Sequence, residues 1–216
     1  MWKVLPKYSV LPIAAMICMN LITYNVTRCF TTEMHHHTMA TALDKALPFV
    51  PEFVFIYLLA FAQWIVCYWL IARDSKKLCY RVCTGEIIAK GCCLVAFIVF
   101  PTTILRPEVV GNGLAEQLTR FIYEIDAPDN LFPSIHCLES WACFRGSMKL
   151  KKMPKWFGYS MFVFSMLVFA STVLLKQHVV WDMLGAVAAV EVGFWIAKVD
   201  REERIKEWIE RRLYGQ

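Results

Sequence analysis

Six residues in three separated stretches have the types and spacing for acid–base and nucleophilic chemistry. His178 and Asp182 lie four apart, a spacing that puts two side chains on one helical face. The carboxylate can then hold one ring nitrogen of the histidine and leave the other free as a nucleophile. A second imidazole, His136, follows Pro133-Ser134-Ile135 and suits protonation of a leaving alkoxide. Arg106 offers a forked donor matched to phosphate oxygens, and Ser134 and Ser171 add hydroxyls. Helix N-termini contribute unpaired N–H groups and a positive dipole end, and Pro133 suits a first helical turn, where its missing N–H costs nothing. Together these groups fit a phosphate ester. Singly, each has an ordinary explanation: an interfacial histidine, an Arg-Pro anchor, a Pro-Ser helix cap. Only an architecture that collects them gives them a joint meaning.

Composition indicates that architecture. Of 216 residues, 58% are hydrophobic and 19% charged, against roughly a quarter charged in soluble domains. A spanning helix needs about 20 mostly apolar residues, and five segments qualify: 9–26, 50–72, 87–105, 156–175 and 179–199. A sixth, 133–148, is shorter and carries Glu139 and Arg145. Charge decides for it. Basic residues cluster at Lys3 and Lys7, at Arg73–Arg81, at Arg145–Lys155 and in the tail from Lys198 to Arg212. If 133–148 crosses, 17 of the 23 Lys and Arg residues fall on one side and five on the other, as the positive-inside rule requires. The expected fold is therefore all-α: a single polytopic domain over 1–216, a bundle of six transmembrane helices with both termini cytoplasmic. The tail, 200–214, reads as an amphipathic helix on the membrane surface. The first apolar run is too long for a signal core and lacks a small-x-small cleavage site, so it reads as a retained span.

In this topology the fourth and sixth spans begin, and the third ends, at the extracytoplasmic face. His136, His178, Asp182, Arg106 and the two serines then share one membrane level. Other features read more simply. The nine cysteines form neither a disulfide framework nor a zinc spacing; small apolar packing accounts for them better than acylation of Cys79 and Cys83. Three consecutive histidines, His35-His36-His37, cannot all converge on one ion and read as a solvated loop. Aromatics such as Trp64, Trp69, Trp181 and Trp195 read as interface and packing residues. Lys90 and Glu191 fall at similar depth within spans, where an unpaired charge is costly, so an ion pair between them is expected.

The string Arg106-Pro107, Pro133-Ser134-Ile135-His136 and Ser171-x6-His178-x3-Asp182 resembles the type 2 phosphatidic acid phosphatase superfamily, whose motifs read K-x6-R-P, P-S-G-H and S-R-x5-H-x3-D. The resemblance implies a six-helix membrane enzyme that needs no metal or other cofactor. It implies His178 as the nucleophile forming a phosphohistidine, Asp182 as its orienting partner and His136 as the general acid. Arg106, Ser134 and Ser171 would cradle the phosphoryl oxygens. Three positions depart: Val99 stands at the motif lysine, Ile135 at the glycine and Thr172 at the second arginine. Sphingomyelin and inositol phosphorylceramide synthases of the superfamily relax the same positions. The expected activity is hydrolysis of a lipid phosphate ester such as phosphatidate or a polyprenyl phosphate, or alternatively transfer of a phospho-headgroup between lipids. The expected partners are that substrate and membrane lipids, with no nucleic acid.

Overall fold

A computed structural model describes residues 5–198. Helix α1 (Lys7–Leu21) runs through a π turn at Ile22–Val26 into α2 (Thr27–Thr31), making one rod. A short strand β1 (His37–Thr38) and helix α3 (Ala42–Ala46) follow. α4 (Val54–Asp74) stops at Ser75, whose extended backbone breaks the helix and whose hydroxyl caps α5 (Lys76–Val99) by accepting the Leu78 N–H at 3.2 Å. Pro101 disfavours helix at the preceding residue, and the chain there becomes β2 (Thr102–Thr103), which pairs in parallel with β1. α6 (Leu114–Ile125), α7 (Ile135–Ser147), α8 (Lys155–Leu174) and α9 (Val180–Lys198) complete the described chain.

Five of these helical segments are long and apolar enough to cross a membrane: Lys7–Thr31, Pro51–Asp74, Lys76–Val99, Lys155–Leu174 and Val180–Ala197. That is the architecture of a multi-pass membrane protein. α7 has 13 residues and rises about 20 Å, short of a hydrocarbon core of about 30 Å. It packs against α4, α5, α8 and α9, which shields its polar residues. α5 and α9 cross closely at two glycines, where a Cβ on Gly193 would lie 2.1 Å from the Gly85 carbonyl oxygen. Only a residue without a side chain permits that approach. The core between the helices is built from Cys67, Ile71, Val82, Leu138, Ala142, Val190 and Phe194. All nine cysteines are free thiols and six, Cys79 and Cys83 among them, are buried, consistent with apolar packing.

Two sequence expectations need correction. The third span begins at Lys76 rather than 87 and ends at Val99 rather than 105. It takes in a polar stretch because the charges satisfy one another: Lys90 Nζ lies 2.8 Å from Glu86, one turn away, and 2.6 Å from Glu139 of α7. For the same reason Lys90 does not pair with Glu191. That carboxylate is 3.0 Å from Arg145 and accepts a hydrogen bond from the Trp141 indole at 2.9 Å. A partner on the same helix and one on a packed neighbour were within easier reach than one at matched depth. The expected tail helix at 200–214 lies outside the described residues.

Candidate active site

The turn between α8 and α9 builds one half of the site. The N–H groups of Gln177 and His178 both donate to the Thr172 carbonyl, at 2.9 and 3.1 Å, and Lys176 takes a left-handed backbone. The chain thereby reverses before α9 starts at Val180. Asp182, in the first turn of α9, aims Oδ2 back over the turn, accepts the Val179 N–H at 3.0 Å and lies 3.0 Å from His178 Nδ1. The carboxylate is thus both a helix-start acceptor and the orienting partner of the imidazole. Its engagement of Nδ1 leaves Nε2 for chemistry. Both residues are buried, at 8% and 1% exposure.

The other half comes from α7. Ser134 caps this helix, accepting the Cys137 N–H at 3.4 Å, and its own N–H donates to the Asp182 carbonyl at 3.1 Å. That bond ties the start of α7 to the start of α9. His136 is the second residue of this helix, stacked on the Tyr57 ring with centroids 4.1 Å apart and flanked by Phe61 and Trp64. The Tyr57 hydroxyl is 3.3 Å from His136 Nδ1, while Nε2 is buried without a partner. His136 and His178 line one cavity of about 300 Å³. Trp64 lines it too and donates to the Ser140 hydroxyl at 3.1 Å, so it belongs to the site wall as well as to the packing.

The expected phosphate cradle is arranged differently. Arg106 lies in an extended segment seven residues beyond the last residue of α5 and does not line the cavity. It donates to the Asp126 carbonyl at 2.5 Å and to the Gln177 side chain, with its plane over the Tyr123 ring. Burial pulls the guanidinium pKa down from its ordinary value, opposed by the Asp126 carboxylate. Arg106 therefore braces the residue preceding His178. The Ser171 hydroxyl is fully buried and donates to the Val168 carbonyl at 2.7 Å, and that of Ser134 is used as a cap. Neither serine lines the cavity. At the departing positions, Val99 is 75% exposed, Thr172 is fully buried, and Ile135 lines the cavity.

Several residues that sequence reasoning passed over complete the wall. Asp126, Asp129, Asn130, Tyr24 and Tyr57 all line the cavity. Tyr24 sits in the π turn, a feature often found at functional sites and invisible in hydropathy. Asp129 is 3.0 Å from Arg28, and the Tyr24 hydroxyl donates to Asp126. Outside the cavity, Asp44 of α3 accepts the Val180 N–H at 2.8 Å, clamping the start of α9. Lys176 donates to the carbonyls of Asp44 and Leu47 at 2.8 and 2.7 Å, from the other side of that turn. The sequence signal for Asp44 was its capping box with Thr41. Among the described residues, no group of three or more His, Cys, Asp or Glu side chains is arranged to hold a metal. His37 stacks on Phe100, and His35 meets His37 edge-on.

No family model, curated protein or solved structure matches this chain.

Proposed function

We propose that the protein is an integral membrane phosphatase acting on a lipid phosphate ester through a phosphohistidine at His178. The observation that carries this reading is the His178–Asp182 pair, 3.0 Å apart at the start of α9, in a cavity that also holds His136. In the proposed reaction His178 Nε2 attacks phosphorus as the bond from phosphorus to the lipid oxygen breaks. His136, protonated on Nε2, gives its proton to the departing alkoxide. Water then attacks the phosphohistidine, His136 takes the proton from that water, and phosphate leaves. Asp182 holds the ring and stabilises positive charge on it throughout. The motif order Arg106, Ser134–His136, Ser171–Asp182 supports membership of the type 2 phosphatidic acid phosphatase superfamily.

The topology belongs to the same reading. We take α7 as a sixth crossing, completed by the segments on either side of it and screened from lipid by its four neighbours. Both termini are then cytoplasmic and the site is extracytoplasmic.

A specific observation favours a second acceptor. The cavity wall carries the carboxylates of Asp126 and Asp129 and the Asn130 side chain, whose Oδ1 is buried without a partner. An acceptor-rich wall repels a dianionic monoester and suits a phosphodiester whose headgroup donates hydrogen bonds. In that reading a lipid alcohol replaces water, and the enzyme is a lipid phosphotransferase.

A panel of lipid phosphate esters incubated with purified protein in detergent, with and without ceramide or diacylglycerol as acceptor, tests both. Mass spectrometry should detect phosphate release or headgroup transfer with the wild type and none with His178→Ala at an unchanged melting temperature. Residual activity within about tenfold of wild type would remove His178 as nucleophile.

A further inference from the structure

Beside the candidate site a second cavity of about 470 Å³ opens between α1 and α4. Its walls are apolar: Ile13, Ile17 and Leu21 on α1, and Ile65 and Trp69 on α4. α1 packs against α5, with Met16 buried in the core, and no comparable packing joins α1 to α4. The gap is therefore open sideways, and Ile17, Leu21 and Ile65 are 51, 55 and 72% exposed along it. At one end this groove merges with the site, because Asn20, Phe61 and Trp64 line both cavities. Phe61 and Trp64 are the same rings that flank His136. Lys90 and Glu139, ion-paired at 2.6 Å, line the side of the groove at the level of Met16, whose carbonyl accepts from Lys90 Nζ at 3.5 Å, and the groove's other end lies at Leu5 and Trp69. Ile13 to Leu21 and Phe61 to Trp69 each advance about 12 Å at the α-helical rise. That is close to one leaflet, half of a hydrocarbon core of about 30 Å.

We propose that the α1–α4 groove is the tail subsite, holding one hydrocarbon chain of the substrate lipid while its phosphate lies between the two imidazoles. This rests on the lipid phosphate reading. Three features select that occupant. The groove joins the polar cavity end to end, so a single molecule with a polar head and an apolar tail fills both. It is open to the bilayer along its length, so such a molecule can slide in from the membrane. It ends where the Tyr8 hydroxyl of α1 donates to the Ala72 carbonyl of α4 at 2.7 Å, which limits the length of chain it can accept.

The test compares phosphate esters of one headgroup type with chains graded from short and soluble to long, using wild type, Ile17→Trp and Ile65→Trp. Neither position touches the imidazoles, and tryptophan there fills the groove. Wild-type kcat/KM should rise with chain length and level off once the groove is filled. The variants should lose about tenfold or more on the longest chain, keep the shortest substrate within about twofold, and shift the optimum to shorter chains. Equal losses on all substrates, or none, would overturn the assignment.

A second measurement does not need turnover. A lipid phosphate carrying a diazirine at its chain terminus is photolysed with His178→Ala protein and mapped by peptide mass spectrometry. The label should fall on Ile13–Leu21 and Phe61–Trp69, be displaced by excess unlabelled lipid phosphate, and weaken with Ile17→Trp added. Label spread evenly over lipid-facing positions such as Val163 of α8, which is 56% exposed, would mean annular lipid only and overturn the groove. If labelling concentrates in the groove while wild type turns over no lipid phosphate, the catalytic reading fails and the tail subsite stands.

Discussion

His136 is enclosed by Tyr57, Phe61 and Trp64 and holds its Nε2 in the cavity without a protein partner. Its Nε2 is open to whatever enters the cavity, while Nδ1 faces the Tyr57 hydroxyl. If it protonates the leaving oxygen, its importance depends on how badly that oxygen needs a proton. We expect His136→Ala to lose about 10²–10⁴-fold on an alkyl lipid phosphate, the usual worth of general acid catalysis, and much less on an aryl phosphate. Parallel losses in steady-state kinetics on both substrates would assign the residue to phosphate binding or structure. At this scale the sequence was legible where a residue's partner is close along the chain. His178 and Asp182 are one turn apart and meet as expected. Arg106 and Ser171 do not line the cavity, because their orientation depends on Gln177, Tyr123 and the interior of α8, none of which a motif specifies. Asp126, Asp129 and Asn130 carry no motif, and only the fold of the loop before α7 brings them to the cavity.

The elements hold the site through the start of α9. Asp44 reaches it from α3, and the Lys176 ammonium, donating to the carbonyls of Asp44 and Leu47, fixes α3 against the same turn. Burial acts to raise the Asp44 pKa. Hydrogen bonds from the Thr41 hydroxyl, the Thr41 N–H and the Val180 N–H outweigh it and hold the carboxyl below its ordinary value of 3.8. A depressed folded pKa contributes stability that is complete above the unfolded value and lost as pH falls through the folded one. Asp44→Ala should therefore lower stability by about 1–2 kcal/mol at neutral pH, the usual loss of a capping side chain. It should also reduce kcat, because the His178 turn loosens. The stability gap between variant and wild type should close below about pH 4. Thermal melts across pH check this, and a gap that persists in acid would show that the carboxylate charge is not what holds α9. Helices at this scale were legible from hydropathy to within a few residues, except where Lys76, Lys77, Arg81 and Glu86 hid the first eleven residues of α5.

Across the whole molecule, the bundle is organised around a buried polar knot. Lys90 bridges Glu86 and Glu139, and the Tyr68 hydroxyl donates to Glu139 at 2.6 Å. The knot joins α4, α5 and α7 and lines the side of the α1–α4 groove. Lys90→Met would leave two carboxylates in apolar surroundings, and removing one partner of a buried ion pair costs about 3–5 kcal/mol. The triple change Glu86→Gln, Lys90→Met, Glu139→Gln should recover most of that, because no charge is left unpaired. Melting in detergent checks both, and a Lys90→Met variant within about 1 kcal/mol of wild type would mean the knot is hydrated rather than dry. The cost of a lone charge within a span correctly demanded a partner for Lys90. Matched depth named the wrong carboxylate, because depth along two helices does not say which faces meet. That is fixed here by the Gly85–Gly193 crossing of α5 and α9.

The central claim is that His178 carries the phosphoryl group. Its most direct test mixes purified protein with a lipid phosphate ester, quenches in base within the first turnovers, and maps the phosphorylated peptide by mass spectrometry. Phosphohistidine survives alkali, so the account predicts phosphate on His178, absent from His178→Ala and accumulating in His136→Ala fed an aryl phosphate. Turnover with no phosphorylated histidine at any quench time, or with the label on another residue, would contradict it.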